Sequence, residues 1–299
     1  MLGGILAGLA AGALWGLVFI APQLAPGLSA VDLVAGRYLF YGLASLAVML
    51  AQARSRALPT LLQASVAAGL SVLGFSGYYL LLVLAIHDAG PALPTLMVGA
   101  IPLWVMLLGK PAHLRWQQLL PGLLLTAVGL GLMMEVPTAA SEPGQASAWI
   151  YWRGVAYAVA AMLSWTGFAV LNAGWLKKHG AVSTTDWANW MGVAAGVAAL
   201  VLWGAVGTEL KVLLALADIA QSTMVCIAIG VGSGWLATVL WNHASRRLSA
   251  SLCGQLIVSE TLFGLAFAFA VLGQDFTLAQ MAASVLFVLG ILASIRAHR

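Results

Sequence analysis

Charge is what this sequence has least of. Its 299 residues include 13 Lys or Arg and 9 Asp or Glu, together 7%, against roughly 25% in an ordinary soluble domain. A soluble fold is excluded. Cysteine is almost absent too: Cys226 and Cys253 lie inside apolar runs and offer neither a disulfide framework nor a paired-cysteine metal site. The histidines, His87, His113, His179, His243 and His298, are scattered, and His87 lies at the opposite span end from most of the others. They form no ligand cluster, so no metal site and no cofactor is expected. His87-Asp88 reads as a turn or cap. Catalytic signatures are missing as well: there is no His-Glu-x-x-His, no Gly-rich phosphate loop before a Lys, and no recognised Ser, His and Asp spacing. An enzyme is not expected. The formal charge of +4 and pI near 9.3 come from basic residues in ones and twos. A nucleic-acid partner would want them in a stripe. No Lys or Arg precedes the first apolar run, so no cleavable signal is expected.

What is present is apolar surface. Hydrophobic residues make up 62% and the mean hydropathy is +1.00, the signature of a polytopic all-α membrane protein. Windows of roughly 20 apolar residues predict ten transmembrane helices, near 2–21, 30–52, 64–86, 91–109, 117–136, 149–174, 187–206, 219–243, 250–272 and 278–295. Ten spans put both termini on one side. The longest links, 137–148 and 207–218, leave no room for an extramembrane domain. The expected partners are therefore the lipid bilayer and a small-molecule substrate. A monomer suffices for that, and a homodimer is compatible with it.

Basic residues in short loops favour the cytoplasm. The side shared by the termini holds Arg54, Arg56, Lys110, Arg115, Lys177, Lys178, Arg246, Arg247, Arg296 and Arg299, ten of the 13. The other side holds Arg37, Arg153 and Lys211, with Asp32, Asp88, Glu135, Glu142, Glu209, Asp218 and Asp275. Both termini are expected to be cytoplasmic, in a cell inner (plasma) membrane.

The chain also repeats. Trp15-Gly16 matches Trp165 and Gly167, Ser29-x-x-Asp32 matches Ser183-x-x-Asp186, Gly77-Tyr78 matches Gly234-Trp235, and Gly129 matches Gly290. The Ser-x-x-acid pairs are helix starts, where a hydroxyl caps and a carboxylate favours the positive end. The offset grows smoothly from 150 to 161, which predicts a duplicated five-helix unit, residues 1–140 and 141–299. Five is odd, so the second copy must enter the membrane upside down. Inverted-topology repeats of this kind are a transporter architecture.

Three segments resemble the EamA family of the drug/metabolite transporter superfamily. They are Ala35-Gly36-Arg37-Tyr38-Leu39-Phe40-Tyr41 in the second span, Ala100-Ile101-Pro102-Leu103-Trp104 in the fourth, and Val258-Ser259-Glu260-Thr261-Leu262-Phe263 with Val271-Leu272-Gly273 in the ninth. Thr261 stands where that family often has proline; Lys110 and Gln274 stand where an acid often follows the fourth and ninth spans. The resemblance implies ten helices as a five-plus-five inverted repeat. Its tryptophan-rich character looks most like the family's aromatic amino acid exporters.

Candidate site residues follow from depth. Trp15, Tyr78, Tyr79, Trp165 and Trp235 lie near span centres, where an indole N–H or phenol must find a partner or face water, so they are expected to converge on one cavity. Trp116, Trp149, Trp152, Trp175, Trp187, Trp203 and Trp241 lie near span ends and read as an interfacial belt. Glu260 is the acid nearest the centre of a span. It is either a proton or cation site, or a helix–helix hydrogen bond to Ser259, Gln255 or a nearby backbone group. Arg37 reads as structural, snorkelling outward or pairing with Asp32 or Asp88. No Lys or Arg is expected at the midplane, which disfavours phosphate and nucleotide-sugar carriers. Gly4, Gly8, Gly12 and Gly16 form a packing stripe. Pro94, Gly99 and Pro102 mark a hinge or broken helix in the fourth span. The resulting expectation is a carrier that exports small aromatic metabolites, aromatic amino acids among them, by alternating access. The alternative is efflux of drugs or cationic dyes, with Glu260 as the cation site.

Overall fold

A computed structural model of the chain describes residues 1–52, 58–90, 92–134, 148–273 and 275–298. Arg54, Arg56, Pro91, Glu135, Glu142, Gln274, Arg299 and the expected 140/141 repeat boundary lie outside them. Among the described residues the regular structure is helical throughout. Nine helices are long and apolar enough to cross a membrane: α1 Leu2–Phe19, α2 Ala30–Ala51, α3 Leu61–Ala89, then α5 to α10 after a shorter fourth. That shorter apolar helix is α4, Leu93–Leu108. The rest are α5 Trp116–Met133, α6 Ala148–Lys178, α7 Thr184–Val206, α8 Ile219–Arg247, α9 Ala250–Leu272 and α10 Leu278–Ala297. The chain is a multi-pass membrane protein.

Local chemistry sets where these helices begin and break. Ser29 accepts from the Asp32 N–H at 3.1 Å and starts α2 with a capping box; Ser183 starts α7 by accepting from Thr185 N–H at 3.2 Å. α4 breaks at Ala100, one residue after Gly99 and two before Pro102, whose ring removes a backbone donor. α9 breaks at Val258 without any proline. There the Val258 N–H falls back to Gln255 O at 3.3 Å, and the Ser259 hydroxyl takes Leu256 O at 2.7 Å. α3 and α8 each widen into a π-helical stretch, Val72–Ser76 and Ile229–Leu236, ending beside the matched Gly77-Tyr78 and around Gly234-Trp235.

Contacts give the relative directions of the helices. α1 and α9 run parallel: Gly4 faces Leu248, Gly8 faces Leu256, Gly12 faces Ser259, and Gly16 faces Gly264. The four-residue glycine stripe is therefore the seat of α9, and a β-carbon on Gly16 would stand 2.9 Å from the Gly264 nitrogen. α2 and α7 run antiparallel, with Gly42 against Gly196 and Ser45 against Gly192. So do α4 and α9, where Gly109 meets Ser251 and Gly254 meets Val105, and α5 and α10, where Gly122 meets Ser294 and Gly129 meets Phe287. α3 packs on α6 and α1 on α8 in the same antiparallel sense, through Gly154 at Asp88, Gly74 at Phe168, and the Ser233 hydroxyl donating to Leu14 O.

Candidate functional site

α1, α6 and α8 meet over tryptophan. The Trp15 and Trp241 rings are 5.3 Å apart, and each lies 6.3 Å from Trp165. Tyr78 packs against the same cluster. From Trp165 an unbroken series of rings continues: Phe168 at 5.8 Å, Phe75 5.4 Å beyond it, and Tyr38 a further 5.7 Å away. Tyr38 in turn lies 5.4 Å under the guanidinium of Arg37. Trp235 packs against the core cluster that contains Phe168 and donates from Nε1 to Asn189 Oδ1 at 2.7 Å. Four of the five candidate rings thus share one aromatic mass.

The fifth, Tyr79, faces a cavity of about 210 Å³ near the α1–α2 loop, and its hydroxyl donates to Ala30 O at 2.9 Å. Val18, Pro22, Leu33 and Ile229 give that cavity apolar walls, and Arg37 gives it a charge. Helix α1 opens the space by unwinding into a 3-10 turn, Leu17–Phe19, and a short helix, Ala21–Leu24.

Two tryptophans assigned to an interfacial belt are buried instead. Trp187 is 0% exposed and Trp241 1%. α8 extends to Arg247, four residues past its expected end, which leaves Trp241 inward of that end; Trp187 stays in the first turn of α7 and is covered by Trp175 of α6, which runs on to Lys178. Trp187 stacks on Trp175 at 3.6 Å and donates to Asn172 Oδ1 at 2.7 Å, while Asn172 Nδ2 donates to Asn242 Oδ1 at 3.0 Å. Trp116, Trp149 and Trp152 are exposed, as a belt requires.

Arg37 is also not where the sequence placed it. Asp32 is occupied by Ser29 and Thr208, and Asp88 by a two-pronged contact from Arg153, Nε to Oδ2 at 2.7 Å and Nη2 to Oδ1 at 3.1 Å, with His87 Nδ1 at 2.9 Å. His87-Asp88 is therefore part of a three-residue clasp between α3 and α6. Arg37 instead turns inward, and its Nη2 donates to Ser233 O in the π-helical stretch of α8 at 3.3 Å. A basic group thus faces the π-helical stretch of α8. Its position two turns into α2 was the available signal.

Glu260 opens the second half of α9, half-buried, with its backbone against Gly12. The bland partners named for it are engaged elsewhere. Ser259 donates to Leu256 O, and Gln255 donates to Thr126 Oγ1 at 2.8 Å while accepting from Ser294 at 3.0 Å, tying α9 to α5 and α10. Pro94, Gly99 and Pro102 lie in α4, around its break.

Known proteins share both fold and sequence with this chain. The inner membrane protein YtfF of Escherichia coli (strain K12) is 29% identical over 187 residues, covering 60% of this chain. The match spans 57% of that relative's own length. A protein of known crystal structure superposes with a TM-score of 0.79 over 99% of this chain and 97% of that one, at 18% identity, a likeness of fold. Residues 152–296 match the model of the EamA-like transporter family. That match runs from near the start of α6 through α10 and leaves the first half of the chain outside it.

Proposed function

We propose that the whole chain is a carrier of two inverted five-helix repeats that exports small aromatic metabolites, aromatic amino acids among them, by alternating access. The observation that carries this reading is the ring series from Trp241 and Trp15 to Tyr38, ending at a charged cavity. Tilted and edge-on rings offer flat substrates aromatic, apolar contact, and a guanidinium at the end of the series gives it polarity. The repeat is supported by the way helices five apart meet: α2 with α7, α4 with α9 and α5 with α10, each antiparallel. It is further supported by paired irregularities, the breaks in α4 and α9 and the π-helical stretches in α3 and α8. Both termini lie in the cytoplasm of an inner-membrane protein, and a monomer carries out the transport.

The cavity favours aromatic metabolites over cationic dyes because the charge on its wall is positive. Glu260 then serves packing or substrate contact, and the protein is a facilitator. Proteoliposome flux tests this. Labelled tryptophan should equilibrate at a saturable rate that a pH gradient leaves unchanged, and a quaternary aromatic cation should not compete. Competition by the cation, or uphill accumulation driven by a pH gradient, would sink the reading.

A further inference from the structure

Arg37 carries more unspent hydrogen-bonding capacity than any structural role needs. A guanidinium offers five N–H donors, and inside a membrane each unsatisfied one is costly. Among the described residues Arg37 meets Ser233 O with Nη2 at 3.3 Å and the face of Tyr38, while its Nε is buried without an acceptor. Asp32 and Asp88, the acids nearest in sequence logic, are engaged elsewhere. Among the described residues no ion pair joins Glu260 to Arg37; the ion pairs at Asp88 include neither. The same guanidinium lines a cavity whose other walls are apolar, apart from Tyr79, whose hydroxyl proton is committed to Ala30 O. An anion entering this space finds one unneutralised cation, and the planar fork suits a carboxylate.

We infer that Arg37 is the counter-ion for a substrate carboxylate seated in this cavity, so that the site selects aromatic carboxylic acids and rejects aromatic amines lacking the acid. The inference rests on the carrier reading and assigns its substrate class from this one residue. The apolar walls hold the ring edge or side chain, and Arg37 fixes which end of the substrate leads.

A series of indoles separates acid from amine. The purified full-length protein in detergent would be mixed with indole-3-propionate, tryptophan, tryptophan amide or tryptamine, and its thermal unfolding followed. Indole-3-propionate and tryptophan should raise Tm; tryptophan amide and tryptamine should not. In Arg37→Gln the acid response should weaken by at least about tenfold in apparent affinity, the effect of losing a charge-assisted hydrogen bond. Arg37→Lys, which keeps the charge and loses the fork, should fall between. Equal stabilisation by tryptamine, no stabilisation by either acid, or undiminished acid binding in Arg37→Gln would each overturn the assignment. The wild-type series decides the matter alone if Arg37→Gln does not fold. Acid binding without flux in vesicles would sink the carrier and leave the carboxylate seat standing; equal flux of tryptophan and tryptamine would do the reverse.

Discussion

An indole N–H inside a bilayer has no water to turn to, and the tryptophans here meet that condition in different ways. Trp187 and Trp235 are each held by an asparagine oxygen at 2.7 Å, whereas the Trp241 Nε1 is buried with no partner among the described residues. Asn172 serves two neighbours at once, accepting from Trp187 and donating to Asn242. Asn172→Ala should therefore lower unfolding stability in detergent by about 1–3 kcal/mol, since it leaves a buried indole donor unsatisfied. Asn242→Ala, which removes a single bond, should cost less; equal losses would show that the Trp187 bond contributes little. Glu260 is tested by flux. With Gln keeping size and hydrogen bonding but not titrating, Glu260→Gln should fold and should transport tryptophan with the same indifference to a pH gradient. Gradient-driven accumulation by the wild type that vanishes in Glu260→Gln would assign the carboxylate a proton-coupling role instead. Alanine at Trp165 or Trp235 should reduce aromatic flux more than protein level, and unchanged flux in both variants would remove those rings from the path.

At the scale of the helix, the glycines of α1 decide how closely α9 can lie. Gly16→Ala places a β-carbon 2.9 Å from a backbone nitrogen of α9, an overpacking that should cost about 1–3 kcal/mol. Gly167→Ala, with open space around it, is the control and should be near neutral. Nine of the ten expected spans were legible in the sequence because hydropathy alone fixes them in lipid; the fourth, Leu93–Leu108, is an apolar helix shorter than the others. The stripe Gly4, Gly8, Gly12, Gly16 was legible as a packing face from its spacing, though its partner was not. The α4 break could be read from Pro102; the α9 break could not, because a serine hydroxyl and a 3-10 turn at Val258 make it without any residue that forbids helix. Trp241 was misplaced for a related reason: distance from a span end measures depth only when the helix stops at the interface, and α8 runs on to Arg247, while Trp187 is covered by Trp175 because α6 runs on to Lys178. Arg37 escaped because its reach is set by Ser233 on a helix almost 200 residues away.

Across the whole molecule, the distribution of charge predicts a sidedness that labelling can check. With Cys226 and Cys253 replaced, single cysteines at Lys110, Lys177 or Arg246 should resist an impermeant thiol reagent in intact cells, whereas one at Glu209 should react. The opposite pattern would invert the molecule. The Gln255–Thr126–Ser294 knot ties α9 to α5 and α10, and the Asp88–Arg153 clasp ties α3 to α6. Between those fastenings α9 is two pieces of helix with different neighbours: Ala250–Ile257 packs chiefly on the second half of α4, and Ser259–Leu272 chiefly on α1. A rod of unbroken helix would pass any tilt at one mouth straight through to the other. Cut at Val258, and packed through its first half on the second half of a helix cut at Ala100, α9 has no continuous hydrogen-bond ladder to do so.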